Sequence, residues 1–255
     1  MKQLIKSMMP APIRDFLIWI YKFYPYRPSS TFPSQEGAFA TLKALGWSPK
    51  TCIDVGAYDG RWATMFRNIF PDSKVLMIEG QVGKKDFLEK TAASASDKLS
   101  YEIAVLGANE GQEVSFVEME SGSSVFEETS SYPRTKRIVK LTKLDNLLKL
   151  HPEFIHSSAI KLDTQGYELE ILKGAHDLLK HLEVILLEVS LIQINKGAPL
   201  FAEIINFLTA NQFILFDFCS QIRRKDGVLW QTDLMFIRDG AIPNLEPRLT
   251  INNWG

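Results

Sequence analysis

The stretch TCIDVGAYDG, residues 51–60, decides the fold of this chain. A short run of β-branched and apolar residues ends in an acid, and a turn with two glycines leads into a helical pattern that begins near Arg61. Open α/β sheets present such a loop to nucleotide-like ligands at the carboxyl end of a strand. The stretch therefore predicts a strand, a ligand-binding loop and a helix, in that order.

The spacing of the glycines argues against a dinucleotide. When the fingerprint G-x-G-x-x-G is aligned on Gly56, Tyr58 stands where a second glycine lets the backbone approach a pyrophosphate. Arg61 stands where the third glycine allows close packing of the helix. A dinucleotide oxidoreductase is thus disfavoured, and the remaining pattern, D-x-G-x-x-x-G, favours a ligand with an amino-acid tail and no phosphate.

The composition is that of a globular protein and disfavours nucleic acid as a partner. The chain has 255 residues, of which 45% are hydrophobic and 23% charged, and its net charge is -1. This length suits one large domain, and the balanced charge creates no field that would attract nucleic acid. Cys52 and Cys219, the only cysteines, lie in apolar runs and are predicted to be buried thiols. The four histidines show no zinc-ligand spacing with them.

The N-terminal region differs from the rest of the chain. Residues 1–35 are predicted to form an aromatic-rich helix and a linker rich in Pro and Ser. The apolar run at 16–21 is much shorter than the roughly 20 residues that span a bilayer, and no small-residue cleavage site follows it. We therefore expect a cytoplasmic protein whose first helix packs on the domain itself, or docks on a membrane surface or a partner. The predicted domain follows at 36–240, with a tail at 241–255.

Hydrophobic periodicity predicts strands that alternate with helices. The predicted strands are 53–55, 74–79, 101–106, 113–119, 137–141, 159–163, 184–189, 213–218 and 230–237, and the predicted helices are 39–45, 62–70, 84–93, 144–150, 167–182 and 200–208. Such alternation favours a mostly parallel sheet with helices on both faces. A turn signal at 225–227 joins the last two strands and predicts an antiparallel edge pair. The expected architecture is a Rossmann-like α/β fold with a mostly parallel seven-stranded sheet and an antiparallel edge strand.

Three carboxylates are predicted to share the rim where the ligand binds. Glu79 ends the second strand about 20 residues beyond the loop, where a carboxylate accepts ribose hydroxyls, unless it is simply a solvated acid. Asp54 directly precedes the loop and can hold its amides, lie near positive charge on the ligand, or cap the turn. Asp163 ends the fourth strand on the same rim. By contrast, Glu168 and Glu170 are explained by the dipole of the helix that they begin.

Together these stretches resemble the FkbM family of S-adenosylmethionine-dependent methyltransferases, which have the class I methyltransferase fold. The resemblance covers about residues 51–238. It departs at Tyr58, where the family often has Asn, and at Gly80, where it often has Pro. The matching motifs are IDVGA at 53–57 with Gly60, IE at 78–79, LTKLD at 141–145, IKLDTQGYE at 160–168, LKGA at 172–175 and LLEV at 186–189.

The resemblance implies O-methylation of a hydroxyl on a sugar, a glycan or a secondary metabolite. The expected cofactor-binding residues are Asp54, Gly56, Ala57, Tyr58, Gly60, Glu79, Gly80, Ala104, Val105 and Asp163. Asp163 is the first candidate for the base that takes the hydroxyl proton, with Glu188 and Asp233 behind it. The Ser-rich loop at 122–125 either shapes the acceptor pocket or is an ordinary surface loop, and Arg134, Lys136 and Arg137 either attract an anionic acceptor or form a solvated face.

Three questions stay open at this level. The clustered carboxylates leave open whether a divalent cation is required. A second functional reading keeps the cofactor pocket but drops catalysis, leaving a non-catalytic S-adenosylmethionine-binding or partner-docking protein. Neither the acceptor nor the oligomeric state is predicted.

Overall fold

The computed structural model describes residues 33–119, 123–126, 134–193 and 195–245. The predicted N-terminal helix, Gly122 and most of the C-terminal tail lie outside these residues, so the domain boundaries stay predictions.

The strands are β1 Thr51–Val55, β2 Lys74–Glu79, β3 Leu99–Ile103, β4 Glu113–Glu118, β5 Thr135–Lys140, β6 Ala159–Leu162, β7 Val184–Ser190, β8 Phe213–Phe218, β9 Ile222–Arg223 and β10 Leu229–Arg238. The α-helices are α1 Gln35–Ala44, α2 Arg61–Ile69, α3 Lys85–Ala93, α4 Leu144–Leu147, α5 Glu168–Lys173 and α6 Phe201–Ala210. Short 3-10 helices lie at Val82–Lys84, Leu148–Leu150, Pro152–Phe154 and Leu178–Lys180.

The central sheet has the strand order β3-β2-β1-β6-β7-β10-β8, and β9 pairs with the start of β10. The first five of these strands run parallel, and β10 is antiparallel to both β7 and β8. The predicted antiparallel pair therefore lies at one edge of the sheet. Its reversed member β10 is the inner strand and β8 is the outer one, because the chain turns back from β8 through a hairpin and enters the gap beside β7. A separate ribbon of β4 and β5 lies off the sheet.

Alternating side chains of β1 supply two hydrophobic layers. Ile53 belongs to the layer that includes Leu141 and Leu172, on one face of the sheet. Cys52 belongs to the layer on the other face, which includes Phe66. Both cysteines are free and buried, as predicted, and burial raises the pKa of the Cys52 thiol well above its ordinary value. In the part of the chain that the structure describes, no helix is long and apolar enough to cross a membrane.

The predicted helix at 167–182 is wrong as one continuous helix. α5 ends at Lys173, and a separate 3-10 turn follows at Leu178–Lys180. Gly174 packs against the backbone of Gly107, where an added Cβ would lie only 2.2 Å from the carbonyl oxygen. Its own carbonyl accepts the N–H of Asp145 at 3.3 Å instead of a donor from a continuing helix. The second turn is capped from outside, since the carboxylate of Asp145 accepts the backbone N–H groups of residues 177 and 178 at 2.8 and 3.0 Å. Leu178, Leu179 and Leu182 lie beyond the end of the helix and are still buried. Their burial explains why the apolar spacing of the sequence continues past that point.

The third strand and the helix predicted at 144–150 also differ from the prediction. The third strand runs from Leu99 to Ile103 rather than from 101 to 106. The chain separates from β2 after Ala104, and Leu106 forms a bridge with Thr142 instead. The helix predicted at 144–150 is one turn of α-helix followed by one 3-10 turn.

Candidate cofactor and proton-transfer site

The loop after β1 has a left-handed backbone conformation at three positions, two of which are glycines. Gly56, Tyr58 and Gly60 have φ angles of 75°, 53° and 80°, in the left-handed region that favours glycine. A Cβ on Gly56 would lie 1.9 Å from the carbonyl oxygen of Asp163, so this position requires glycine because of close approach as well as conformation. The tight turn is closed by a hydrogen bond of 2.8 Å from the N–H of Gly60 to the carbonyl of Ala57.

Glu79 joins this loop to the loop after β2. Its side chain is 5% exposed, and its Oε2 accepts the backbone N–H of Tyr58 at 2.8 Å. Its Oε1 accepts the backbone N–H of Gln81 at 2.9 Å. A carboxylate has about four acceptor positions. Glu79 therefore holds both loops and still has lone pairs that can accept hydroxyl groups of a ligand.

A cavity of about 280 Å³ opens beside these loops at the carboxyl ends of β1, β2 and β6. Its size is near the lower end of small-molecule sites, which are about 300–1,000 Å³. A Cβ on Gly80 would lie 2.8 Å from Cζ of Phe116, so glycine leaves room where the cavity meets the β4 ribbon. Seven residues expected to bind the cofactor line this cavity: Gly56, Tyr58, Glu79, Gly80, Ala104, Val105 and Asp163.

Asp54, Ala57 and Gly60 do not line the cavity and instead support its floor. Asp54 is fully buried and forms an ion pair of 3.1 Å with the Nζ of Lys161. Apart from this ion pair, neither of its carboxylate oxygens has a hydrogen-bond partner among the described residues. The Lys161 Nζ also donates a hydrogen bond of 2.9 Å to the carbonyl of Gly56. Asp54 thus acts on the loop through this lysine rather than by holding the loop amides directly.

The two charges of this pair stabilise each other against burial. Burial raises the pKa of the Asp54 carboxyl, and Lys161 opposes that rise. Burial alone would lower the pKa of the Lys161 ammonium, but the carboxylates of Asp54, Asp163 and Glu79 raise it above its ordinary value. Lys161 therefore remains a cation beneath the loop, with its Nζ 3.8 Å from Oδ2 of Asp163.

Asp163 and Glu188 lie on neighbouring strands and share one hydrogen-bond donor. The Nε2 of Gln165 donates to Oδ1 of Asp163 at 3.0 Å and to Oε1 of Glu188 at 3.1 Å. The Nε2 of Gln231 adds a bond of 2.7 Å to the same oxygen of Glu188. Burial, with added repulsion from Asp163 and other acids nearby, raises the pKa of Glu188 to about 9. Near neutral pH, Glu188 thus holds a proton, whereas Asp163 faces the cavity and Lys161.

Asp233 takes a different position from the other two candidate bases. It lies directly across from Glu188 in the pairing of β10 with β7, and neither Asp233 nor Glu188 lines the cavity. Its Oδ2 accepts a hydrogen bond of 2.7 Å from the Nε2 of Gln35, whose Oε1 in turn accepts the indole N–H of Trp62. Asp233 thereby links the sheet to α1 and α2.

Three residues of the site were missed as functional candidates from the sequence: Lys161, Gln165 and Gln231. A lysine inside the otherwise apolar strand AIKL was a usable signal, because a buried lysine requires a partner. No comparable signal marks the two glutamines, since Glu188, to which both donate, lies on a strand distant in sequence. Ser124, in the predicted Ser-rich loop, lines the cavity and donates its hydroxyl to the carbonyl of Gln165 at 3.0 Å.

The basic cluster at 134–137 contributes a support to the cavity rim. Arg137 donates hydrogen bonds to the carbonyl of Gly80 at 3.0 Å and to Oε1 of Glu118 at 2.8 Å. These bonds hold the β4–β5 ribbon against the loop after β2. Among the described residues, no group of three or more His, Cys, Asp or Glu side chains is placed to hold a metal ion.

Comparisons with known proteins agree with a methyltransferase. Residues 54–215, well over half of the chain, match the Methyltransferase FkbM domain. No curated protein matches the chain significantly.

Three solved structures are similar to this chain at low sequence identity. A precorrin-6y C5,15-methyltransferase from Geobacter metallireducens GS-15 is 12% identical, with a TM-score of 0.45 over 82% of this chain and 95% of that one. A protein of the NADB-Rossmann superfamily from Streptococcus agalactiae is 15% identical, with a TM-score of 0.43 over 83% of this chain and 71% of that one. An O-methyltransferase from neocarzinostatin biosynthesis, in complex with S-adenosyl-L-homocysteine and 1,4-dihydroxy-2-naphthoic acid, is 8% identical, with a TM-score of 0.40 over 78% of this chain and 50% of that one. The family assignment depends on the domain match and not on these distant structures.

Proposed function

Because the chain belongs to the FkbM family of S-adenosylmethionine-dependent methyltransferases, we propose that it methylates a hydroxyl oxygen of a small acceptor, namely a sugar, a glycan or a secondary metabolite. One observation carries this proposal. Glu79, a ribose-binding candidate, and Asp163, a proton acceptor, lie on the rim of the same cavity. A site for the cofactor and a site for the hydroxyl proton thereby adjoin.

The residues around the cavity fit S-adenosylmethionine. The lone pairs left on Glu79 suit the two ribose hydroxyls, and the left-handed loop at Gly56 suits the amino-acid portion. The apolar wall formed by Val105, Leu106 and Phe116 suits a flat base. When bound, the cofactor supplies an electrophilic methyl group on a sulfonium.

Asp163 is the proposed proton acceptor of the reaction. An alcohol is a poor nucleophile, so a base must take its proton as its oxygen bonds to the methyl carbon and the carbon–sulfur bond breaks. Glu188 is already protonated near neutral pH because its pKa is about 9, and Asp233 is engaged by Gln35. Asp163 borders the cavity, and its Oδ2 lies 3.8 Å from the Nζ of Lys161. These contacts support Asp163 over the other two candidates.

Location and docking belong to the same proposal. The proposed location is cytoplasmic. Docking of the N-terminal segment on a membrane surface or a partner is supported by the sequence of residues 16–26, which is rich in aromatic residues. A requirement for a divalent cation is not proposed.

Substitutions at Glu79 and Asp163 test this assignment. Glu79→Ala should weaken binding of S-adenosylhomocysteine by tenfold or more, about 1.4 kcal/mol or above, because two loops and the ribose lose one acceptor. Asp163→Asn should leave that affinity within about threefold of the wild type but lower turnover roughly 10²–10⁴-fold. Calorimetry measures binding, and methyl transfer to a panel of hexoses, glycosides and phenols measures turnover.

Glu79→Gln serves as the matched control, because it keeps a side-chain oxygen acceptor and the same length. Its loss of affinity should be smaller than that of Glu79→Ala, with both variants checked for folding by circular dichroism. Unchanged affinity in Glu79→Ala contradicts the ribose assignment. A wild type that binds S-adenosylhomocysteine yet transfers no methyl group to any acceptor supports the non-catalytic binding protein instead.

A further inference from the structure

Gln165 has a backbone conformation that its surroundings impose. Its φ of 55° lies in the left-handed region, which residues other than glycine seldom adopt. Two buried side chains from different segments hold its carbonyl oxygen: Ser124 donates at 3.0 Å and Asn195 at 2.5 Å. Such strain persists only where the surrounding structure enforces it, and it is concentrated at functional sites.

The peptide groups on both sides of Gln165 are held as well. Oε1 of the buried Glu168 accepts the N–H of Thr164 at 2.8 Å and that of Gly166 at 3.1 Å. A Cβ on Gly166, whose φ is 99°, would lie 2.7 Å from Cβ of Ala198. The whole turn is therefore fixed, and with it the direction in which the Gln165 side chain leaves the backbone.

The fixed side chain ends in an amide placed between two carboxyl groups. Its Nε2 donates to Oδ1 of Asp163 and to Oε1 of Glu188. The carboxylate of Asp163 can only accept hydrogen bonds, so the nitrogen of the amide and not its oxygen faces the two groups. Because Gln165 and Gln231 both donate to Oε1 of Glu188, the proton of that group must lie on its Oε2.

We propose that Gln165 is a positioning residue of the methyl-transfer reaction, which aims the Asp163 carboxylate at the cavity and keeps the proton of Glu188 away from it. This inference rests on the proposed function, since it assigns Asp163 the role of proton acceptor. The charged groups around Glu188 are three acids and one cation, namely Asp163, Glu168, Asp233 and Lys161. Without the amide, the carboxyl groups of Asp163 and Glu188 would lose the donor that they share.

The test compares Gln165→Met with a matched control, Gln212→Met. Gln212 also has a left-handed backbone, with a φ of 68°, but its side chain is exposed and it lies directly before the first residue of β8. Both substitutions change a left-handed glutamine to a side chain of similar length without donors. Any effect of backbone conformation alone should therefore appear in both variants.

Carboxyl titration provides a readout that needs neither cofactor nor acceptor. With 13C-labelled glutamate, the Glu188 resonance is assigned by its loss in Glu188→Gln and followed against pH. In Gln165→Met its midpoint should move up by about one unit, because one donor to the charged form is lost. Gln212→Met should leave it unchanged. An unchanged midpoint in Gln165→Met overturns the proposal.

Kinetics with an acceptor from the panel separate positioning from a structural role. Gln165→Met should lower kcat about 10- to 100-fold, keep the Kd for S-adenosylhomocysteine within about threefold, and move the acid limb of the kcat–pH profile to higher pH. A parallel loss of kcat, affinity and thermal stability, with an unshifted pH profile, overturns positioning in favour of a structural role. If the wild type binds no S-adenosylhomocysteine, the proposed function is wrong. The carboxyl titration still tests the contacts of Gln165 in that case, because it needs neither cofactor nor acceptor.

Discussion

At the scale of single residues, the backbone carbonyl of Asp163 explains why residue 56 is glycine. Many positions tolerate a left-handed φ if a small energetic cost is accepted. Gly56 differs because a Cβ would collide with the backbone of the neighbouring strand end, which also carries the proposed proton acceptor. The same contact sets the distance between the cofactor loop and Asp163.

Gly56→Ala and Gly227→Ala should therefore differ. Gly227 has a φ of 86° with no atom within 4 Å of the added Cβ, so its substitution should cost only the left-handed conformation, about 1–2 kcal/mol. Gly56→Ala should cost roughly a further 1–3 kcal/mol from overpacking and abolish binding of S-adenosylhomocysteine. Urea unfolding and calorimetry measure the two effects, and equal losses of stability would show that close approach is not the constraint.

At the scale of elements, the break after α5 shows packing overriding helical periodicity. The chain from Glu168 onward has the apolar spacing of one long helix, yet the helix ends where Gly174 meets the backbone of Gly107. Gly107 lies in the segment that crosses from β3 to the ribbon. The early end of α5 therefore allows this segment to lie close to the sheet beside the cavity.

Gly174→Ala should destabilise the protein even though alanine favours helix. The gain in propensity is about 1 kcal/mol, and a Cβ 2.2 Å from a carbonyl oxygen should outweigh it by roughly 1–3 kcal/mol. Gly83→Ala is the matched control, since Gly83 lies in a 3-10 turn with open space around it and should gain about 0.4–1 kcal/mol. Thermal unfolding compares them, and a more stable Gly174→Ala would refute the packing explanation.

At the scale of the whole molecule, strand pairing gathers acids on one edge of the sheet and makes stability depend on pH. Burial, followed by the neighbouring acids, raises the pKa of Glu188 from 4.5 to about 9, and burial raises that of Glu168 to about 7. Between the unfolded and folded pKa values, the folded protein binds more protons than the unfolded chain. Its free energy of unfolding therefore falls as pH rises, from about 4.5 to 7 through both Glu168 and Glu188, and from 7 to about 9 through Glu188.

Glu188→Gln should remove much of this pH dependence. The variant has no proton to lose, so its free energy of unfolding should fall less between pH 6 and pH 8 than that of the wild type. Glu170→Gln is the control, because Glu170 pairs with the partly exposed Lys173 and should leave the pH dependence unchanged. Urea unfolding at the two pH values gives the comparison, and identical slopes for Glu188→Gln and wild type would exclude Glu188 as a source.

The sequence alone determined the strand–loop–helix at 51–69, the run of alternating elements, and the acids of strand ends such as Glu79 and Asp163. These features are local, because glycine conformation, hydrophobic period and the position of an acid after an apolar run are all set by neighbours in the chain. Only the tertiary structure decided which side chains meet. Lys161 joins Asp54, Gln165 joins Asp163 to Glu188, and Asp233 turns to α1, since each contact depends on strand pairing between distant segments and on the burial that such pairing creates.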